Sequence, residues 1–98
     1  MKSTKEYINI LLANAERLKS QFGIQSLRIF GSVSRSEQHE GSDIDICVDM
    51  PPKILLVSRL RRFLEKQMGC PVDIVRLHKH INPLLLDEIN KDGIYIIR

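Results

Sequence analysis

Apolar residues recur along this chain at two periods, and each change of period marks a new element. Ile8, Leu11, Leu12, Ala15 and Leu18 follow helical spacing. Ser3-Thr4-Lys5-Glu6 ahead of them is a capping box, and Gly23 is a natural stop, so one helix is expected between them. Ser26 to Phe30 reads as a strand, and Gly31 permits a sharp turn out of it. From Ser42 to Val48 the chain alternates: Ile44, Ile46 and Val48 take one face, Asp43, Asp45 and Cys47 the other. Pro51-Pro52 ends that strand. Ile54, Val57, Leu60, Leu64 and Met68 then form the apolar stripe of a second long helix, closed by Gly69. Pro71 to Leu77 is a further strand, with Val72 and Ile74 facing one way and Asp73 and Val75 the other. Asn82-Pro83 caps a last helix carrying Leu85, Leu86 and Ile89, which ends at Asp92-Gly93 before a final strand, Ile94 to Ile97. Strands and helices alternate without repeats or linkers, which predicts an α/β sandwich forming a single domain over residues 1–98.

Composition narrows the classes. Hydrophobic residues make up 43% and charged residues 28%, enough for a folded core. A net charge of +3 is too small to argue for direct nucleic-acid binding. No leader-like or membrane-length apolar run is visible, so a cytoplasmic protein without a membrane partner is expected. Cys47 and Cys70 match no metal or redox spacing; Cys47 reads best as a small core residue.

The candidate chemistry lies in one constellation, Gly31-Ser32 followed after ten residues by Asp43-Ile44-Asp45. Strand residues two apart share a face, so Asp43 and Asp45 would sit side by side, roughly 7 Å apart at Cα. Like charges held that close need water or a cation between them, and Mg2+ takes oxygen ligands. Ser32 falls where a helix N-cap would be, and the free N–H groups of a helix start bind phosphate. Arg35, one turn on, can reach a phosphate oxygen or a carboxylate. Alone, Gly31-Ser32 would be only a turn and a cap; upstream of Asp-x-Asp it points to a nucleotide. Asp73 is a third candidate acid, because a carboxylate between Val72, Ile74 and Val75 calls for a partner. Its rival reading is an edge-strand acid facing solvent.

Other polar clusters read more simply. Arg59, Arg61, Arg62 and Lys66 form a solvated helix face, with a patch for a partner or acidic ligand as the alternative. His78 and His80 lack the companions of a zinc site. His39, Glu37 and Glu40 belong to the loop before Asp43, and Asp49 ends its strand in solvent. There is no P-loop, no Gly-x-Ser-x-Gly and no catalytic cysteine arrangement.

The joined motif resembles that of the polymerase-beta-type nucleotidyltransferases, a Gly-Ser pair followed by Asp-x-Asp on the next strand, and the length resembles their minimal (MNT) branch. The likeness runs from Leu27 to Ile97. Ser34 and Ser36 stand where that family often has Ala and Gly, and Ile46 where it often has Leu. The resemblance implies a polymerase-beta-like fold, a mixed sheet packed against helices. It further implies a site in which Asp43, Asp45 and Asp73 hold one or two Mg2+ ions, while Gly31, Ser32 and Arg35 bind the phosphates of ATP. The branch is similar to MntA-like antitoxins paired with HEPN-domain toxins. The implied function is therefore protein AMPylation: transfer of AMP from ATP to a tyrosine hydroxyl of a HEPN toxin from the adjacent gene, within a hetero-oligomer. Two alternatives stand beside it. One is an antitoxin that acts by binding alone. The other is an aminoglycoside-type adenylyltransferase, which would need a second, helical subunit.

Overall fold

The computed structural model describes residues 1–98. Its elements are α1 (Thr4–Ala13), α2 (Ala15–Phe22), β1 (Ser26–Phe30), α3 (Gly31–Ser34), β2 (Ile44–Asp49), α4 (Ile54–Met68), β3 (Val72–Arg76), α5 (Pro83–Asp92) and β4 (Ile94–Ile97). The strands form one mixed sheet in the order β3-β2-β1-β4. β1 runs antiparallel to both β2 and β4, whereas β2 and β3 are parallel. The parallel pair is joined through α4, the kind of long crossover that parallel strands require.

Strand alternation sorts the two faces as expected. Leu27, Ile29, Ile44, Ile46 and Val48 are buried together in the main core, against Leu11, Leu18, Leu60, Leu64 and Met68 from the helices. Each such side chain contributes roughly 1.5–3 kcal/mol of burial free energy. A smaller cluster on the other face joins Phe30 and Cys47 to Ile89 of α5. Cys47 is thus a buried core residue, and both cysteines are free.

The caps match their sequence signals. Ser3 and Glu6 exchange side-chain and backbone bonds as a capping box, and the Asn82 side chain accepts from Leu84 N and Leu85 N.

Several expectations need correction. The first helix is two, because it breaks at Asn14. The Asn14 side-chain amide donates to the Ile10 carbonyl at 2.8 Å, offering that oxygen an alternative to the helical ladder. The strand expected from Ser42 to Val48 begins two residues later, at Ile44, and ends at Asp49. The one expected from Pro71 to Leu77 spans Val72 to Arg76. Two residues assigned to apolar stripes are exposed: Leu12, and Ile54, which lies ahead of the point where α4 meets the sheet. Tyr7 of α1 is buried instead. No helix is long and apolar enough to cross a membrane.

Candidate active site

Three elements bring the candidate residues to one end of the sheet. Phe30, the last residue of β1, pairs with Asp45 of β2, so the turn that follows β1 emerges beside that carboxylate. Gly31 makes the turn at φ +72°, a conformation that L side chains rarely adopt. It also makes room. A Cβ on Gly31 would collide with Asp45 Oδ2. Glycine is therefore required here twice, for the bend and for the approach.

The turn continues as the short helix α3. The capping position is Phe30 rather than Ser32, which lies one residue inside the first turn. The Ser32 carbonyl accepts from Arg35 N and Glu37 N, which folds the segment back on itself. Ser36 then takes φ +56°, the only non-glycine residue of the chain with positive φ. Its hydroxyl lies 3.0 Å from Thr4 Oγ1. Thr4 also donates to the Val33 carbonyl at 2.6 Å and accepts from Gln38 Nε2 at 3.2 Å. The first turn of α1 therefore grips the motif turn from behind.

Asp45 and Asp73 are register partners on neighbouring parallel strands, a separation of about 4.8 Å between strands. Asp43 stands just before β2, exposed, on the approach to Asp45. Asp73 is also exposed, because β3 is an edge strand; it is both a neighbour of Asp45 and open to solvent. Burial raises the Asp45 pKa above the usual carboxylate range, and Asp73, Asp43 and Glu88 raise it further by charge repulsion; Arg35 opposes them. Glu88, on α5, had no sequence signal, since its approach to the acids depends on how α5 packs across the sheet.

Arg35 is engaged already. Its Nε donates to Glu37 at 2.6 Å and its Nη1 to Asp92 at 2.6 Å, which ties the motif turn to the end of α5. The two carboxylates raise its pKa. An arginine so held keeps Nη2 free to donate to a phosphate oxygen, since the two contacts use only two of its five N–H groups.

Arg28 was not singled out from the sequence, yet it is the one buried charged residue, two positions before the Phe30 that pairs with Asp45. Its side chain is only 7% exposed and stacks on Tyr95, with the guanidinium carbon 4.8 Å from the ring centroid. Nη1 donates to Asn90 Oδ1 at 2.9 Å, and Nε has no partner. Arg28 pairs across the sheet with Cys47, whose thiol pKa burial raises and Arg28 lowers. His39, His78 and His80 are exposed, as are Arg59, Arg61, Arg62 and Lys66. Asp49 is exposed at the end of β2.

No three acidic, histidine or cysteine side chains converge tightly enough to cage an ion by themselves. The donor set nonetheless suits Mg2+, which is usually held by one or two carboxylates together with substrate phosphates. The neighbouring carboxylates that, with burial, raise the Asp45 pKa are the surplus negative charge that such a cation offsets.

The comparisons identify the family and the fold. The family model described as "Nucleotidyltransferase domain" matches residues 14–96. A provisionally assigned protein adenylyltransferase of Methanocaldococcus jannaschii is 37% identical over 98 residues, covering 98% of this chain and 100% of the relative. The protein adenylyltransferase MntA of Thermococcus cleftensis is 38% identical over 77 residues, or 76% of this chain and 78% of that one. Among solved structures, a provisionally assigned minimal nucleotidyltransferase superimposes with a TM-score of 0.77 at 28% identity, covering 95% of both chains. A toxin–antitoxin crystallised with AMP-PNP gives 0.71 at 25% identity, covering 87% of this chain and 71% of that one.

Proposed function

Since the chain belongs to the nucleotidyltransferase domain family and is a nucleotidyltransferase, we propose that it is a minimal protein adenylyltransferase, a single domain over residues 1–98. In this reading it transfers AMP from ATP to a tyrosine hydroxyl of a HEPN-domain toxin from the adjacent gene, in the cytoplasm, and so silences the toxin. The observation that carries the reading is the meeting of the Gly31-Ser32 turn with Asp45 and Asp73 at one end of the sheet. Similarity to protein adenylyltransferases and to a toxin–antitoxin crystallised with AMP-PNP supports the protein acceptor and the nucleotide.

Asp43, Asp45 and Asp73 would hold Mg2+, which when bound offsets the negative charge of the triphosphate and lowers the pKa of the acceptor hydroxyl. The backbone at Gly31-Ser32 and the Ser32 hydroxyl hold the phosphates of the leaving group. Asp73, open to solvent at the sheet edge, takes the hydroxyl proton in this reading. The acceptor oxygen then bonds to the α-phosphorus, the α–β anhydride bond breaks, and pyrophosphate leaves. Arg35 donates to a phosphate oxygen through the N–H groups that Glu37 and Asp92 leave free. The chain's work is positioning and electrostatics, which suffice for phosphoryl chemistry of this kind.

The test uses ATP labelled at the α-phosphate, Mg2+, this protein and the adjacent HEPN-domain protein, with wild type beside Asp43→Asn/Asp45→Asn. Label on a HEPN tyrosine with wild type alone is the expected result. A HEPN protein silenced equally by both forms, without label, would make the chain an antitoxin that acts by binding.

A further inference from the structure

Ile54 and Leu55 open α4 with 85% and 76% of their surface exposed. Helical spacing carries Leu55 on to Arg59 and Arg62 along the outer face, and Ile54 on to Ser58 and Arg61 along the flank nearer β3. On that flank, Ser58 and Arg61 meet Asp73 in a cleft of about 140 Å³. A neighbouring hollow of about 290 Å³ shares Val57 and Ser58 with it and extends to Ile54 and Arg76. One trough thus leads from the candidate catalytic edge to the exposed apolar pair.

None of Lys53, Arg59, Arg61, Arg62 and Arg76 lies within ion-pair distance of a carboxylate. A helix face meant only for water would gain nothing from adjacent bare Ile and Leu side chains. Apolar anchors within a ring of unpaired cations fit a protein surface of the opposite pattern. Single-stranded nucleic acid would call for aromatic platforms, and this face has none.

We propose that the outer and β3-facing sides of α4 are the docking surface for the acceptor protein, which binds through apolar side chains flanked by Asp or Glu and so brings its hydroxyl to the Asp73 edge. This inference rests on the AMP-transfer reading and adds the place and chemistry of acceptor binding. Arg61, beside Asp73, meets the acceptor where the reaction occurs; Ile54 and Leu55 anchor it about two turns away.

Ile54→Asp/Leu55→Asp and Arg59→Glu/Arg62→Glu alter only exposed side chains, so both variants should fold and bind AMP-PNP with Mg2+ as wild type does. Each should raise the dissociation constant for the HEPN-domain protein by about tenfold or more. The rate of labelling at low acceptor concentration should fall by the same factor. Variants that bind and label like wild type would overturn the docking surface. The Asp43→Asn/Asp45→Asn protein judges the transfer reading separately, by loss of label with binding intact. If wild type labels nothing, association alone decides: a complex weakened by both surface variants upholds the docking surface, and no complex overturns it. A wild-type self-dimer lost in the variants would give the face to a second copy of this chain and overturn the proposed partner.

Discussion

Gly31 and Asp45 share a space too small for one more carbon: a Cβ on the glycine would collide with Asp45 Oδ2. The turn after β1 and the Asp45 carboxylate are therefore placed by each other. Gly31→Ala must both abandon its φ of +72° and push the carboxylate aside. A displacement of about 1 Å at a reacting centre can cost on the order of 10²-fold in rate, and that loss of AMP transfer is expected here. Full activity in Gly31→Ala would show that Asp45 has another comfortable position.

Asp45→Asn should separate stability from function. Burial and three neighbouring carboxylates disfavour the Asp45 charge. Removing that charge should raise the melting temperature measured without divalent cations. AMP transfer should fall by more than about 10²-fold, since even partners that merely support metal ligands are worth 10–100-fold. A variant that melts below wild type would contradict the crowding.

Ser36 holds a left-handed conformation at φ +56° and offsets part of its cost through the hydroxyl pair with Thr4. Ser36→Ala keeps the strain and loses the bond, a destabilisation of about 1 kcal/mol in denaturant titrations. Ser36→Gly loses the bond but also the strain, and should recover most of that deficit. Equal loss in both variants would mean that the backbone at this position carries no strain.

Tyr7 sets an alkaline limit. Burial, with the Cys70 thiol as hydrogen-bond neighbour, pushes its phenol up to about 12. The unfolded chain ionises this group near pH 10, so between roughly pH 10 and 12 the folded state binds the extra proton. Stability should therefore fall as pH rises through that window. Tyr7→Phe should flatten this part of the pH profile, measured by chemical denaturation at each pH. An unchanged slope in the variant would assign the alkaline loss to another group.

Much of this architecture was legible because its signals are local. β1 and β4 lie where the sequence placed them, and the capping box, the Asn82-Pro83 cap and the Ile44-Ile46-Val48 face all follow from near neighbours. The remainder depends on packing. The Asn14 break comes from a side chain choosing the Ile10 carbonyl, which periodicity does not record. Ile54 has the right spacing for the core stripe but stands beyond the sheet it would cover. Arg28 reads as an unremarkable strand position until Tyr95 and Asn90 close around it. Glu88 joins the acids only because α5 crosses that face, and Arg35 meets Asp92 for the same reason.

β3 ends the sheet, so Asp73 is flanked by Asp45 on one side and by open space on the other. A site open along the sheet edge sets few limits on the size of what approaches from that side. In evolutionary terms, that separates the chemistry from the choice of target. In the proposed transfer, the buried strands and the turn at Gly31 would stay as they are, while substitutions on the outward helix faces would redirect the same core toward a different hydroxyl.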